Sequence, residues 1–333
     1  MTDSIFFDSL KSKEIEKSKK FIQTKLNTEK DLINVISELI LFSSLIFRTN
    51  NKKTHPLILI NSVKNIIGDD RNNPSRILLD FSIEYLNLFN IRTDDEKLID
   101  KTLKEGPRES EFISDLYDVC QEGDFKKIKK ISARIFIISE KSRAVLDALV
   151  DVLLQNVEDS ILFVYHLLRS FQFQKSNNPW VFICSLIQEM KFFPIPNPHR
   201  SSIVTPEDIR QSMMLAGEIN LFSSVERLWN GDYVRRESYR RELSYWCFKI
   251  SERKKINNEK NSARFSFKDK KNNFFIKLGE SIVLDKSKSL KAKTDGLVIL
   301  ESLRAIKKTS KPDELELLEN CFATIIENEN WKI

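Results

Sequence analysis

Three histidines, His55, His166 and His199, are the residues of this chain best suited to chemistry, and their settings differ. His199 precedes Arg200, Ser201 and Ser202 in a loop with three prolines. Loops on rigid scaffolds gather binding groups, so His199 and Arg200 are candidates for an anion site, against the simpler reading of a linker. His166 sits in the apolar run 161–168 and reads as a core histidine with a hydrogen-bond partner. His55 opens a helical stretch, where its ring nitrogen would cap the start. These three and Arg200 are the groups that an enzyme or small-ligand binder would aim into a pocket between helices. The residues three before the histidines are Lys52, Phe163 and Pro196, which argues against the Glu-x-x-His pairs of a di-iron bundle. No glycine-rich phosphate loop, H-E-x-x-H or G-x-S-x-G occurs. No metal or cofactor is expected. Asp69-Asp70 and Asp94-Asp95 read as solvated turns rather than general acids.

Charge gives a second lead. The net charge is +6, but residues 227–311 hold 23 Lys+Arg against 10 Asp+Glu, a local net of +13 that leaves −7 elsewhere. A basic lobe attracts polyanions. Arg235, Arg236 and Arg240 lie on a cationic helix, with Glu237 four residues before Arg241. Lys254, Lys255, Arg264, Lys270 and Lys271 lie in a Lys/Asn/Ser-rich stretch that also carries Phe265 and Phe267. Rings between cations can stack bases while the cations hold phosphates; alternatively the two phenylalanines tuck back onto the core.

The elements that would position these residues are helices. Glycine is scarce, at 7 in 333 residues, and the chain is 41% hydrophobic, enough for a packed core. The four cysteines, Cys120, Cys184, Cys247 and Cys321, lack the spacing of a zinc or redox pair and read as buried thiols. The sequence begins without a secretion-signal pattern, and its longest apolar-leaning run, 39–47, is far short of the ~20 residues of a membrane helix. A cytoplasmic protein is the expectation.

Internal similarity organises the chain. Asn72-Asn73-Pro74 recurs as Asn177-Asn178-Pro179, and Leu57–Lys64 lies over Leu162–Arg169, both at an offset of 105. Thr54–Lys64 matches Thr294–Arg304 without gaps. Gly123-Asp124-Phe125 and Gly231-Asp232-Tyr233 each open a helix. The fold expected is all-α, with three diverged helical units stacked as an α-solenoid-like array or folded back into a bundle. Unit 1 covers 1–91 and unit 2 covers 112–193. Unit 3 covers 221–333 with a basic insertion near 251–276. Each unit should hold a short lead helix and three longer ones. A charged linker, 92–111, and a proline-rich linker with a short helix, 194–220, separate them. The units resemble α-solenoid proteins in general, but no tetratricopeptide, HEAT or ankyrin consensus lies on these residues.

The function this points to is a non-enzymatic interaction or scaffold protein, whose basic C-terminal unit binds an acidic protein or nucleic acid. An enzyme or small-ligand binder with a pocket between units is the alternative. A structural subunit of a larger complex is a third reading.

Overall fold

The computed structural model describes residues 4–106, 111–174, 178–253, 265–268 and 270–332. Asn177, Pro107 and residues 254–264 and 269 of the 251–276 insertion, among them Lys254, Lys255 and Arg264, lie outside the described residues. The protein is all-α, apart from a two-residue antiparallel bridge that pairs β1 (Ile46–Phe47) with β2 (Asn90–Ile91).

The first stretch forms α1 (Ile5–Lys11), α2 (Ile15–Lys25), α3 (Glu29–Ser44), α4 (Pro56–Ile67) and α5 (Arg76–Leu86). Next comes α6 (Asp95–Glu105). The second stretch forms α7 (Ile113–Glu122), α8 (Phe125–Ile138), α9 (Ala144–Leu153), α10 (Val157–Phe173) and α11 (Pro179–Met190). After α12 (Pro206–Ala216), the third forms α13 (Ile219–Trp229), α14 (Arg236–Ser251), α15 (Phe274–Leu284), α16 (Leu290–Thr309) and α17 (Leu315–Glu329). Among the described residues each stretch therefore has five α-helices rather than four. The 92–111 segment is mostly helix α6 rather than a bare linker, because Ile99 and Thr102 give it a face to bury.

Local chemistry sets the helix boundaries. Thr28 and Asp31 form a reciprocal capping box at α3, with Thr28 N donating to Asp31 Oδ2 at 2.9 Å. Thr205 and Asp208 do the same at α12, where Pro206 takes the first helical position. Segment 194–205 stays non-helical, as its prolines require.

Three helix–turn–helix corners share one geometry. Lys13, Gly123 and Gly217 adopt φ of 57°, 72° and 72°, and Glu14, Asp124 and Glu218 follow as the caps of α2, α8 and α13. Gly123 thus corresponds in conformation to Gly217 and not to Gly231, whose φ is not positive; α14 begins only at Arg236. Glycine at 231 answers a different need, since a Cβ there would stand 2.1 Å from the Tyr233 ring.

The middle of the molecule is a closed set of four helices in which α4 packs on α10, α10 on α13, α13 on α16 and α16 on α4. Helix α10 runs parallel to α4, because His55 meets Phe163, Asn61 meets His166 and Lys64 meets Phe173. Helix α16 is parallel as well: Thr54 bonds Asp295, Asn65 bonds Glu301 and Asp69 bonds Arg304. The apolar residues of all three stretches join one continuous core. All four cysteines are buried in it, and burial pushes the thiols of Cys120, Cys247 and Cys321 up to about 12.

Candidate anion-binding cleft

The sequence-matched positions 61, 166 and 301 meet at the centre of the four helices. Asn61 Nδ2 lies 2.7 Å from His166 Nδ1. Glu301 accepts from Arg227 at 2.6 and 3.0 Å and from Asn65 at 2.8 Å. Arg227 also lies over the Tyr165 ring, 4.1 Å from its centroid. Burial alone would raise the Glu301 carboxyl, but the guanidinium of Arg227 outweighs it and holds the carboxyl down at about 2. His166 is fully buried and pushed down to about 3, so it stays neutral.

His55 caps α4, its Nδ1 accepting from Leu57 N at 3.0 Å. Its sequence counterparts do not cap: Ser160 sits inside α10 and donates to Leu153 O, and Asp295 lies inside α16. The Nε2 of His55 stands 3.9 Å from Glu189 Oε1, while Glu189 Oε2 accepts from Arg48 at 2.7 Å. Burial and the charges of Arg48 and Arg92 keep His55 well below its ordinary value. Burial pushes Glu189 up to about 7 against the pull of Arg48. His55 and His166 thus line neighbouring turns of the packed α4–α10 contact. His199 lies elsewhere, its Nδ1 2.8 Å from Glu242 and its ring stacked on Tyr245 at 3.9 Å. That carboxylate occupies the position an anion would need, and Arg200 is exposed beside it. The structure does not gather these four residues into one pocket.

The candidate cations of α14 are mostly engaged. Arg235 donates to Tyr117 Oη at 2.7 Å and lies 3.6 Å from Asp151. Arg240 donates to Trp229 O and packs on that ring. Arg241 pairs with Glu242 at 2.9 Å rather than with Glu237. Arg236 is exposed. Nor are the rings near the insertion free for bases: Phe267 is 6% exposed, and Phe265 packs on Phe322 at 4.5 Å.

Lys270 and Lys271 do reach a shared feature. With Arg304, Lys307 and Lys308 from α16, they line a cleft of about 250 Å³ that has Phe275 in its wall and Asp69 as its one carboxylate among the described residues. Asp69 is no solvated turn residue: it accepts from Arg304 at 2.5 and 2.6 Å and from Lys308 at 2.8 Å. Lys270 lies over Phe265 and Phe274. Lys307 lies over Phe267 at 4.7 Å, and burial lowers its pKa. Among the described residues, Lys270, Lys271 and Lys307 have no carboxylate in ion-pair range. The α16 cations went unnoticed in the sequence, although Arg304, Lys307 and Lys308 have the i, i+3, i+4 spacing of one helix face.

Compared with family models, curated proteins and solved structures, the chain matches none. No group of three or more His, Cys, Asp or Glu residues stands together as a metal-holding set among the described residues, and no helix among them is long and apolar enough to cross a membrane.

Proposed function

We propose that this protein is a non-enzymatic interaction protein that holds an acidic segment of a protein partner in the α15–α16 cleft. The observation that carries this reading is the charge imbalance there: among the described residues five cations face one carboxylate, which Arg304 and Lys308 already claim. The ammonium groups of Lys270, Lys271 and Lys307, which have no carboxylate in ion-pair range among the described residues, then supply the attraction. A carboxylate-bearing peptide fits better than a nucleic acid strand, because Phe267 is buried and Phe265, half-buried, packs on Phe322, which takes these rings out of use for base stacking.

The test is titration of a fluorescent polyglutamate peptide and a labelled single-stranded oligonucleotide of equal charge into the full chain. The peptide is expected to bind more tightly, and Lys271→Glu with Lys308→Glu should weaken it about tenfold. Equal binding by the double variant would remove the cleft from the proposal. Preference for the oligonucleotide would replace the peptide with nucleic acid.

A further inference from the structure

A second basic cleft lies on another face, between α6, α8 and the end of α11, and shares no residue with the first. We propose that it binds a small, multiply phosphorylated anion.

Lys101 of α6, Lys126, Lys129, Lys130 and Arg134 of α8, and Lys191 after α11 line a space of about 400 Å³. That volume lies within the few hundred to ~1,000 Å³ usual for small-molecule sites. Compensation is incomplete. Lys129 reaches Asp95 at 3.2 Å, Arg134 bonds Glu111, and Lys101 lies 3.8 Å from Glu105. Among the described residues, Lys126, Lys130 and Lys191 have no carboxylate in range; Lys191 donates only to the neutral Gln188, at 3.3 Å. Burial, then the charges of Lys129 and Arg92, lower the Lys191 pKa.

The arrangement suits phosphates in particular. Lys126 and Lys130 are one helical turn apart, their Cβ atoms about 5–6 Å from each other, so both ammonium groups can reach the same polyanion. Lysine binds phosphate as a point charge without demanding the planar geometry of a carboxylate. Leu98 and Phe125 add an apolar wall against which a carbon skeleton can rest. The first backbone N–H groups of α8 are not part of the site, because Asp124 Oδ1 already accepts from Lys126 N and Lys127 N.

Calorimetric titration of the full chain with pyrophosphate, ATP and inositol hexakisphosphate tests the proposal. One-to-one saturable binding of at least one of them is expected. Lys126→Glu with Lys130→Glu, both exposed in the native chain, should weaken it about tenfold or more without shifting the thermal unfolding midpoint. The pair Lys271→Glu and Lys308→Glu should leave it unchanged. Which of the three binds tightest separates a nucleotide from an inositol skeleton or bare phosphate. Absence of saturable binding, or equal losses in both double variants, overturns the proposal.

Discussion

Glu301 shows how costly a single core group becomes once its partner is gone. The carboxylate is 1% exposed and ionised only because Arg227 grips it with two nitrogens. Arg227→Met is expected to destabilise the protein by about 3–5 kcal/mol in urea unfolding at pH 7, the usual cost of leaving a buried charge unpaired. Replacing both residues, Arg227→Met with Glu301→Leu, should recover most of that loss, because an apolar pair of similar volume needs no compensation. In the single variant Glu301 loses the charge that holds its pKa down, so the deficit should narrow on acidification. The sequence aligned Asn61, His166 and Glu301 as matching positions and read His166 correctly as a core histidine with a partner. Arg227 was not legible as that carboxylate's partner: it belongs to α13, a helix outside the alignment, and only the packing of α13 on α10 and α16 brings it in.

Among the elements, the three corners at Lys13, Gly123 and Gly217 make a comparison with opposite signs. A side chain at positive φ costs about 1–2 kcal/mol where glycine pays nothing. Gly123→Ala and Gly217→Ala should each lower stability by about 1 kcal/mol, and Lys13→Gly should raise it by about 1 kcal/mol, read as shifts in the urea midpoint. Open space surrounds Gly123 and Gly217, so backbone conformation and not crowding would set the size of the effect. Helix starts were readable because their signals are local: Thr205-Pro206 and Asp124 cap where the residue types require. The Gly231-Asp232 corner was misread for the same reason. Gly-Asp before an aromatic has the composition of a helix-opening turn, but the Tyr233 ring lies against Gly231 and α14 starts later. Charged residues likewise disguised α6. Lys97, Lys101 and Lys104 dominate its composition, yet its buried positions Asp95, Ile99 and Thr102 repeat at helical spacing.

For the molecule as a whole, buried titratable groups set the response to pH. His55 and His166 are neutral when folded and protonate near 6.5 when unfolded. Their folded pKa values are depressed, so the unfolded chain binds more protons below about pH 6.5 and each histidine costs stability on acidification. Glu189 acts in reverse. Raised to about 7 from the ordinary carboxylate range near 4.5, it gains stability as pH falls through that window. Between about pH 4.5 and 6, Glu189 therefore offsets one histidine and leaves the other, a slope of up to about 1.4 kcal/mol per pH unit from these three groups. His166→Asn should lower the pH slope of the unfolding free energy by about that amount. An unchanged slope would mean that His166 is not neutral in the core. Charge at this scale was only half legible. The excess over 227–311 was visible by counting, whereas the α6–α8–α11 cleft was not, because its lysines come from a portion of the chain that is net negative and only folding sorts them onto one side.

The parallel course of α4, α10 and α16 has an electrical consequence. Peptide dipoles add along a helix to roughly half a negative charge at its C-terminal end, and parallel neighbours carry those ends to the same side of the molecule. Lys64 stands in the last turn of α4, and Lys307 and Lys308 stand in the last turn of α16. These cations sit in the negative field of the carbonyls behind them, which lowers the cost of crowding them together. The field also cancels part of the positive potential that Lys307 and Lys308 project into the α15–α16 cleft. An anion arriving there meets less charge than the lysines alone would supply, so its affinity should depend on salt less steeply than five free cations would predict.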